Sequence, residues 1–361
     1  MRRLFIALQV AVGIALVAAA YAGRIDPNRF APAAVGGLAY PVLLLVSVVV
    51  AVPALLRRSR LVWLTLAFIL LTWPALRATI VFKPGAHALD EISIMTWNVK
   101  NFDLYNWSHN DSTRALMLEL IRTHDPDILC FQEFYTSEKR GGFDNAGALR
   151  RDLGYPHHHV EELFTKQGAR HWGIATFSRL PIASSAGHGF ETGRINGFVR
   201  TAIAVDDSTR LDLFNVHLQS NHFDHDDLAF LDRPDLDEGA GVRSSRTILG
   251  KILDGAQRRV HQALDVRGHI AEAENPVVVV GDMNDSPLSY AHHLLADGLE
   301  DAWTARGWGR GTTYESRWLD IRIDRVLGGP GVRFLRIERI PQDLSDHHPI
   351  LVHLTVQDPA P

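Results

Sequence analysis

The sequence predicts an α/β domain preceded by three transmembrane helices, and three features of the chain lead to this prediction. Its 361 residues are 46% hydrophobic, which is enough to build a large core. The first 85 residues contain three long apolar runs, whereas short β-rich segments alternate with helical stretches after Glu91. The charge divides at the same place, because residues 1–90 hold nine basic and two acidic residues, net +7, while the rest holds 28 basic and 39 acidic residues, net −11.

The three apolar runs are residues 4–22, 38–56 and 61–82. Each is close to the ~20 residues that cross a bilayer as a helix, and almost no polar residue interrupts them. We therefore predict a membrane anchor of three transmembrane helices over residues 1–85 rather than helices buried in a core. The first run also resembles a signal peptide, because two arginines precede it and it ends in an Ala-Tyr-Ala sequence. Cleavage there would leave two spans.

Basic residues in the short loops predict which way the anchor crosses the membrane, because Lys and Arg resist translocation. Five would lie on the side of the N-terminus and three on the other: Arg2, Arg3, Arg57, Arg58 and Arg60 against Arg24, Arg29 and Lys83. The excess predicts a cytoplasmic N-terminus. Three spans would then place the following domain outside the cytoplasm, on the periplasmic or external side of a bacterial inner membrane.

The part of the chain after residue 90 predicts alternating strands and helices. Apolar, β-rich segments predict strands at 92–97, 128–131, 174–177, 199–205, 211–216, 277–280, 323–327 and 350–354. Helical periodicity predicts helices at 113–122, 242–273 and 288–296. This order favours a domain in which sheets lie between helical layers.

Two further features limit the kinds of site that the chain can contain. A single cysteine, Cys130, excludes an intramolecular disulfide and a thiolate metal cluster, and its place in an apolar strand predicts a packing role. Residues 224–238 carry seven acidic residues and one arginine, which is typical of a solvated loop. His222 and His225 beside this stretch leave an accessory cation site as an alternative.

Polar side chains follow apolar strands at six places, where a rigid scaffold would hold reactive groups. In chain order these are Trp97-Asn98, Gln132-Glu133, Asn215-Val216-His217, Gly281-Asp282-Met283-Asn284-Asp285, Arg322-Ile323-Asp324-Arg325 and Ser345-Asp346-His347-His348-Pro349. Taken singly, each has an ordinary interpretation as a turn, a solvated loop, a helix cap or a hydrogen-bonded core histidine.

The same residue types also suit phosphoryl chemistry. A carboxylate and a carboxamide two residues apart, Asp282 and Asn284, can hold a hard cation or a phosphoryl oxygen. Glu133 is a carboxylate of the type that Mg²⁺ takes as a ligand. An imidazole beside a carboxylate, as in Asp346-His347, suits proton transfer next to a metal ion.

Together and in this order, the six segments resemble the endonuclease/exonuclease/phosphatase superfamily, which includes DNase I-like nucleases, inositol-polyphosphate phosphatases and bacterial sphingomyelinases. The resemblance covers residues 91–356, and its most specific parts are the Gly-Asp-x-Asn-Asp and Ser-Asp-His-x-Pro segments. It implies a four-layered α/β sandwich of the DNase I-like type over residues 90–358. One phosphoesterase site would lie at one edge of two packed sheets.

The resemblance also implies a divalent cation, Mg²⁺ with Mn²⁺ as an alternative. Glu133 would ligate the cation, Asn98 would lie close by, and Asp346 would lie on the metal side of the pocket. A metal ion of this kind completes its coordination with water and phosphate oxygens.

The implied catalytic residues follow from the same resemblance. His347, oriented by Asp324, would either activate water or stabilise the pentavalent phosphorus. Asp282 and Asn284 would position the nucleophile and a phosphoryl oxygen. His217 would contact the phosphate or protonate the leaving oxygen.

Two departures from the family pattern affect these expectations. Lys100 stands where some nuclease branches carry an acidic metal ligand, so we do not expect a second cation there. The tyrosine or arginine that some branches place on the scissile phosphate is not evident from the sequence. Arg200 and Asn196 are the candidates for contacting the substrate.

These features predict a membrane-anchored, divalent-metal-dependent hydrolase that cleaves a phosphodiester by in-line attack of an activated water. The alternatives are a phosphomonoesterase acting on a lipid or inositol phosphate, an extracytoplasmic nuclease, and a non-catalytic tethered binding protein. A net charge of −11 on the soluble part disfavours nucleic acid, whose phosphates are contacted by Lys and Arg, although a local basic groove is compatible with that total. Tethering to a bilayer favours a phospholipid.

The remaining observations concern the membrane and partners. The spans contain no pairs of acidic and basic residues that would form a transport pathway, so we interpret them as an anchor. Five aromatic residues would either contact acyl chains or pack in the core: Phe223, Phe230, Trp303, Trp308 and Trp318. The sequence gives no indication of a protein partner.

Overall fold

A computed structural model of the chain describes residues 2–88, 91–191, 195–221, 223, 240–315 and 320–357. The chain divides into two compact units. The helical unit comprises Met1–Val81, Asn221–His261 and Asp285–Leu295, and the sheet unit comprises Phe82–Ser220, Gln262–Asn284 and Ala296–Pro361. The acidic stretch 224–238 with His222 and His225 lies outside the described residues, as do Phe230 and Trp318.

Two helices of the helical unit are long and apolar enough to cross a membrane: Arg2–Tyr21 (α1) and Ala33–Leu56 (α2). At 1.5 Å per residue they extend about 30 Å and about 36 Å, which matches the hydrocarbon thickness of a bilayer. Many of their large apolar side chains are exposed, including those of Leu4, Leu45 and Leu56. Such exposure is expected of side chains that contact lipid.

The third predicted span is a pair of helices, Val62–Leu71 (α3) and Trp73–Thr79 (α4), that are bent by 72°. Pro74 lies in the first turn of α4 and has no N–H to donate to the preceding turn, so α3 ends and a new helix begins. In the part of the chain that the structure describes, two helices are therefore long and apolar enough to cross a membrane. The number of candidate spans rises to three if the bent pair is counted as a single span.

Close packing and a polar contact hold the helices of this unit together. Gly13 of α1 lies against the ring of Phe68 in α3, where an added Cβ would approach the ring carbons to 2.2 Å. Gln9 donates a buried hydrogen bond of 3.2 Å to Thr65 Oγ1. Both kinds of contact are typical of helices that associate within a bilayer, where apolar side chains gain little by leaving lipid.

Two six-stranded sheets form the centre of the sheet unit. The first sheet contains, in spatial order, Val332–Arg339 (β13), Ile350–Val356 (β14), Ile92–Asn98 (β2), Ile128–Ser137 (β3), Arg170–Ser178 (β5) and His157–Lys166 (β4). The second contains Glu300–Asp301 (β10), Asp324–Gly328 (β12), Val277–Asp282 (β9), Arg210–His217 (β8), Gly197–Ala204 (β7) and Ile182–Gly189 (β6). The remaining described strands are short, Val81–Phe82 (β1) and Trp308–Gly309 (β11).

At least one helix packs against each sheet of the sheet unit. The helices that the structure describes beyond the first four are Thr113–His124 (α5), Asn145–Arg151 (α6), Ala240–Ala271 (α7), Tyr290–Leu295 (α8) and Ala302–Arg306 (α9). Met117 of α5 shares a buried core with Met95 of the first sheet, and the ring of His269 in α7 lies 5.1 Å from Phe198 of the second. Between the sheets, Gln132 donates a hydrogen bond of 2.6 Å to Asn215 Oδ1.

Two parallel strand pairs position the polar strand ends. Strands β2 and β3 run parallel, so Asn98 lies beside Gln132. Strands β8 and β9 also run parallel, so His217 lies beside Asp282. Strand β12 pairs with β9 in the antiparallel sense and places Asp324 on the other side of Asp282. The register of the second sheet therefore puts three predicted site residues in one row.

The predicted strands are confirmed, but three long strands of the structure were not predicted, β4, β6 and β13, nor were the two-residue strands β1, β10 and β11. The three long strands have one feature in common. All three are edge strands. An edge strand of such a sheet is half solvated, so its sequence lacks the continuous apolar run that marks a central strand. Strand β4, for example, has the sequence HHHVEELFTK, and most of its residues are partly or fully exposed.

Burial decides the roles of several residues that the sequence left open. Cys130 is fully buried, and burial raises the pKa of its thiol, which agrees with a packing role. Trp303 is also buried, whereas Trp308 is 70% exposed and makes an edge-to-face contact with Phe82 at 5.2 Å. Of the described aromatic residues proposed to contact acyl chains, Trp303 is therefore a core residue.

Candidate active site

Six chain segments bring the predicted site residues together at one end of the two sheets. They are the ends of β2, β8 and β9, a bulge in β3, the start of β12 and the segment before β14. Hydrogen bonds and ion pairs connect their side chains, as described below. We call this group the polar cluster: Asn98, Glu133, His217, Asp282, Asn284, Asp324, Asp346 and His347.

Asp282 lies at the centre of the polar cluster and is only 1% exposed. Its Oδ2 accepts a hydrogen bond of 3.0 Å from Asn98 Nδ2 and lies 3.8 Å from Nε2 of both His217 and His347. Its Oδ1 accepts a hydrogen bond of 2.8 Å from the backbone N–H of Asn284. One carboxylate thus contacts four groups that come from four different segments.

The environment of Asp282 raises the pKa of its carboxyl group. Burial is the largest cause, because it disfavours the ionised form, and the neighbouring carboxylate of Asp324 acts in the same direction. His347, His217 and the hydrogen bond from Asn98 oppose this shift without cancelling it. A carboxylate with a raised pKa is a stronger base.

His347 is held between two carboxylates. Its Nδ1 lies 2.9 Å from Asp324 Oδ2, which leaves Nε2 facing Asp282. The indole N–H of Trp97 donates a hydrogen bond of 2.8 Å to the backbone carbonyl of His347, and the ring of Tyr314 lies edge-on at 5.1 Å. The ring is therefore fixed in position by groups from four parts of the chain.

The charge of His347 follows from the same neighbours. Burial lowers the pKa of the imidazole, but the carboxylates of Asp324 and Asp282 and the hydrogen bond to Asp324 outweigh burial and raise the pKa to about 10. The ring is consequently an imidazolium at neutral pH. Of the two roles predicted for His347, stabilising negative charge fits this protonation state better than removing a proton from water.

Glu133 reaches the polar cluster through a distortion of β3. The pairing of β3 with β5 shifts register between Phe131 and Phe134, and Glu133 has a φ of 50°. A positive φ is unfavourable for a residue with a side chain and is often found at functional sites. The distortion lets Gln132 point into the core while the Glu133 carboxylate accepts a hydrogen bond of 3.2 Å from Asn98.

Backbone conformation also shapes the segment after β9. Gly281 has a φ of 131°, and an added Cβ would lie 2.0 Å from the carbonyl oxygen of Val216, so only glycine fits there. Asn284 has a φ of 51°, which asparagine tolerates better than most residues. Its Nδ2 donates a hydrogen bond of 2.9 Å to the carbonyl of Leu218, and this fixes the side chain beside Asp282.

Asp346 is paired with the residue that departs from the family pattern. Lys100 Nζ lies 2.9 Å from Asp346 Oδ2. Burial raises the pKa of Asp346, but His347 and Lys100 lower it more, so the pKa lies below its ordinary value. One oxygen of this predicted metal-side carboxylate is therefore already neutralised by an ammonium group.

The donor atoms fit one hard divalent cation at Glu133. Glu133 offers a carboxylate that forms no ion pair with a basic residue among the described residues. Asn98 directs its NH₂ group at Glu133 and Asp282, and its oxygen accepts from the Lys100 backbone N–H at 3.1 Å. Rotating the amide would present that oxygen instead, and Mg²⁺ needs few protein ligands besides water.

Among the described residues, two groups of side chains have the close spacing of metal ligands. Asp282, Asp324 and His347 have ligand atoms within 4.8 Å of one another, but the imidazole turns its two nitrogens to different carboxylates, which favours a hydrogen-bonded chain. A second group lies on β6 and α7, apart from the predicted residues: His188, Asp265 and His269. There, His188 Nε2 and Asp265 Oδ2 are 2.9 Å apart.

The two candidates for substrate contact lie in different places. Asn196 donates a hydrogen bond of 2.9 Å to the Leu218 carbonyl, which also accepts from Asn284. Arg200 instead pairs with the buried Asp212 at 3.0 Å. Asp212 precedes His217 by five residues on the same strand, a distance of about 17 Å. The structure thus brings Asn196 to the polar cluster and places Arg200 in an ion pair elsewhere on the sheet.

Tyr314 is the site residue that sequence reasoning missed. It pairs with His347 through an isolated bridge, and the charges of Asp346, Asp282 and Glu133 add to burial in raising the pKa of its hydroxyl. No motif marks this tyrosine, which lies in an irregular segment ten residues before Asp324. Only its position in the fold identifies it.

Comparisons with known proteins agree with this fold. The model of the endonuclease/exonuclease/phosphatase family matches residues 95–347, and a model of a domain of unknown function matches residues 2–79. No curated protein matches the chain.

Three solved structures resemble about three quarters of the chain. An endonuclease/exonuclease/phosphatase protein from Beutenbergia cavernae is 19% identical, with a TM-score of 0.53 over 74% of this chain and 72% of that one. Humanized TDP2 from D. rerio is 18% identical, with a TM-score of 0.53 over 74% and 100%. The catalytic domain of human Nocturnin, with bound sulfate, is 18% identical, with a TM-score of 0.51 over 74% and 94%. These likenesses confirm the DNase I-like α/β fold.

Proposed function

Because the chain belongs to the endonuclease/exonuclease/phosphatase family, we propose that its polar cluster hydrolyses a phosphodiester with the help of one divalent cation, Mg²⁺ or Mn²⁺. The observation that carries this proposal is the buried Asp282, which contacts Asn98, His217 and His347. These groups can contact a water molecule, a phosphate and a cation. A binding protein without activity would not need such a set of buried, charged groups.

Glu133 would hold the cation, and Asn98 and Asp346 would lie beside it. A bound Mg²⁺ would polarise a phosphoryl oxygen and offset the charge that develops in the transition state. The Glu133 carboxylate is the predicted ligand that no basic side chain neutralises among the described residues. Lys100 already pairs with Asp346, so its ammonium would take the place of a second cation.

Asp282, His347 and Asp324 would supply the chemistry of the attack. The raised pKa of Asp282 suits a carboxylate that orients the attacking water and accepts its proton. The imidazolium of His347 would stabilise negative charge on the phosphoryl oxygens, and Asp324 would keep that ring charged and oriented. The roles of Asp282 and His347 are complementary, because the carboxylate would accept a proton and the positively charged ring would stabilise negative charge.

The remaining residues of the site would bind the phosphate. Asn284 lies beside Asp282 and would position a phosphoryl oxygen, and His217 would contact the phosphate or protonate the leaving oxygen. Asn196 donates to the same backbone carbonyl as Asn284. The hydroxyl of Tyr314 lies close enough to the carboxylates of the polar cluster for their charges to raise its pKa, in addition to burial. Both residues would therefore contact the substrate.

The N-terminal helices would anchor the enzyme in a bacterial inner membrane. We place the anchor within residues 1–85 and the enzymatic domain within residues 90–358, outside the cytoplasm. The two long apolar helices α1 and α2 support the anchor, and the excess of basic residues near the N-terminus supports this orientation. Digestion of the domain by protease added to spheroplasts would support the placement, and protection of the domain would contradict it.

The experiment that tests the activity measures hydrolysis of bis(p-nitrophenyl) phosphate by the full chain in detergent, with Mg²⁺ or with EDTA. His347→Ala serves as the inactive reference, and His188→Ala, on β6, is the matched control. We expect Mg²⁺-dependent hydrolysis that the first substitution abolishes and the second preserves. Equal rates for the parent and His347→Ala would refute the proposal. Faster hydrolysis of p-nitrophenyl phosphate would make the enzyme a phosphomonoesterase.

A further inference from the structure

A groove of about 870 Å³ opens in the sheet unit next to the polar cluster. Its wall continues two of the segments that form the cluster. Tyr135 lines the groove and follows Glu133 by two residues on β3, about 7 Å along the strand. Asn101 also lines it and follows Asn98 by three residues. A ligand that occupies the groove would therefore reach the polar cluster.

Aromatic rings form a row along one side of this groove. Tyr135, Trp172 and Phe164 lie side by side on β3, β5 and β4, because Trp172 is the register partner of both other residues. The ring centroids of Tyr135 and Trp172 are 4.9 Å apart, and those of Trp172 and Phe164 are 5.4 Å apart. Phe164 is 43% exposed. Trp172 is half-buried and Tyr135 is buried, so Phe164 and Trp172 present the ring surface on which a planar group can stack.

Basic side chains surround the same groove. Lys166 and Arg170 are register partners at the end of the β4–β5 hairpin, and Lys139 and Arg140 lie in the loop after β3. None of the four forms an ion pair with a carboxylate among the described residues, and no acidic residue lines the groove. Several other arginines of this unit are paired, for example Arg200 with Asp212 and Arg339 with Glu315.

Unpaired cations at this place contrast with the net charge of −11 after residue 90. Charges more than about 8–10 Å away are largely screened at physiological salt, so the four cations and not the total charge set the potential in the groove. The ligand must therefore carry several negative charges. A phosphocholine headgroup would bring its own positive charge to these cations, which disfavours it.

We propose that the groove binds single-stranded nucleic acid, with bases stacked on the Trp172 and Phe164 rings and phosphates paired with the four basic residues. This inference rests on the proposed function and names its substrate class. Stacked aromatic rings with a basic lining are the combination that binds single strands. A duplex keeps its bases stacked inside and cannot use the ring surface.

The binding test uses the full chain in phosphatidylcholine nanodiscs, a fluorescein-labelled 12-nucleotide oligothymidylate and EDTA, so that no turnover occurs. The double substitution Lys139→Ala/Arg140→Ala should weaken binding at least 10-fold at 50 mM salt. It should also lower the slope of log affinity against log salt by about 1.4, since each phosphate contact on a single strand contributes about 0.7. Both residues are exposed, so the fold should be unaffected.

The matched control removes the same charge at other exposed sites. Arg333 lies on β13, the opposite edge strand of the same sheet, and Arg210 begins β8; Arg210→Ala/Arg333→Ala should leave affinity and salt slope unchanged. Trp172→Ala should weaken binding about 5- to 100-fold without changing the salt slope, because stacking involves no counterions. Trp308→Ala, at an exposed tryptophan elsewhere, is its control.

Equal losses in the groove variants and their controls would overturn the inference, because binding would then be non-specific. A second test uses vesicles of phosphatidylcholine with 5% phosphatidylinositol 4,5-bisphosphate. If the protein binds these vesicles through Lys139 and Arg140 but does not bind the oligonucleotide, the inference is overturned and the groove is assigned to a lipid headgroup.

Hydrolysis of bis(p-nitrophenyl) phosphate separates this inference from the proposed function. The small diester does not need the groove, so the groove variants should hydrolyse it at the parent rate while losing activity on the oligonucleotide. If the enzyme hydrolyses the small diester, but the groove variants act on the oligonucleotide as the parent does, the inference is overturned and the proposed function is not. Absence of activity on the small diester would overturn the proposed function, even if the oligonucleotide binds.

Discussion

The polar cluster lies at one end of both sheets and the aromatic, basic groove lies next to it on the first sheet, yet the charged residues of the two regions differ in burial and in pairing. In the polar cluster, Asp282, Asp324 and His347 are buried, and each is hydrogen-bonded or lies near an opposite charge. In the groove, Lys139 and Lys166 are exposed and have no acidic partner among the described residues. The cluster resembles the interior of a protein and the groove resembles its surface.

This difference separates chemistry from recognition. Groups that stabilise a transition state act most strongly when they are buried and already oriented, because no solvent has to reorganise during the reaction. Groups that attract a polyanion act best when they remain solvated and unpaired, because the ligand then replaces only loosely held counterions. Substitutions in the polar cluster should therefore change kcat, and substitutions in the groove should change substrate affinity.

The largest effect is expected for Asp282→Asn. Loss of the central carboxylate should lower the rate on the small diester about 1,000-fold, within the range for removal of a general base. The raised pKa of Asp282 means that burial disfavours its charge, so the neutral asparagine should leave thermal stability unchanged or higher. Measuring both the rate and the melting temperature tests the two halves of this prediction.

Asp212→Asn is the matched control, because Asp212 is equally buried but pairs with Arg200 away from the cluster. We expect it to lower the melting temperature and to preserve the specific activity of the folded protein. A rate for Asp282→Asn within 10-fold of the parent rate would show that the roles assigned to the cluster are wrong.

Asp324→Asn should have the next largest effect. The asparagine cannot hold a positive charge on His347, so the pKa of the ring should fall and kcat should drop about 100-fold or more. KM for the small diester should stay within threefold, because Asp324 would not touch the substrate. A large rise in KM with an unchanged kcat would contradict the positioning role and would make Asp324 a binding residue.

Lys100→Ala tests the border between the two regions, since Lys100 pairs with Asp346 and precedes the groove residue Asn101. Removing the ammonium takes away a positive charge near the proposed cation. The Mg²⁺ concentration that gives the half-maximal rate should therefore fall about 10-fold. The expected change is no larger because solvent screens the partly exposed Lys100–Asp346 pair. Lys166→Ala removes a groove lysine and should leave this concentration unchanged. No change in either variant would place the cation away from Asp346.

The smallest effect concerns the loop that carries Lys139 and Arg140. Asp144 ends this loop and caps α6, because its Oδ1 accepts from the Gly147 N–H at 2.8 Å and its Oδ2 pairs with Arg151 at 2.8 Å. Asp144→Ala should cost about 1 kcal/mol of stability and weaken oligonucleotide binding only a few-fold. Hydrolysis of the small diester should not change.

The charge of Asp144 makes the effect of Asp144→Asn depend on pH. Burial raises the pKa of Asp144, but Arg151 and the Gly147 N–H lower it more, so the pKa lies below its ordinary value of 3.8. The stabilisation by the carboxylate is therefore complete above pH 3.8 and is lost as the pH falls through the lowered pKa. Melting temperatures of the parent and the Asn variant should converge below that pH; a constant difference would contradict the linkage.

Central strands were predictable from the sequence, and so were the residues at their ends. Strands such as β9 are buried on both faces, so their apolar runs mark them, and the polar residues that follow can be read directly from the chain. Edge strands such as β4 and β6 lack this signal. The groove escaped prediction for the same reason, because Phe164 and Lys166 lie on the edge strand β4.

Residue contacts across the chain could not be predicted. Arg200 was a candidate for the substrate because of its charge, but only the register of β7 and β8 places it beside Asp212. Tyr314 was missed because its segment carries no regular pattern, and it meets His347 only through tertiary structure.

The sequence by itself determined the apolar N-terminal helices, the α/β class and the family, because these depend on local apolar patterns and on residue types in a fixed order. Only the tertiary structure decided which charges are paired. Parallel pairing places His217 beside Asp282, the carboxylates of Asp324 and Asp282 keep His347 an imidazolium against the effect of burial, and the β4–β5 hairpin leaves Lys166 and Arg170 without acidic partners among the described residues. Charge interactions depend on distance and burial, and the linear sequence contains neither.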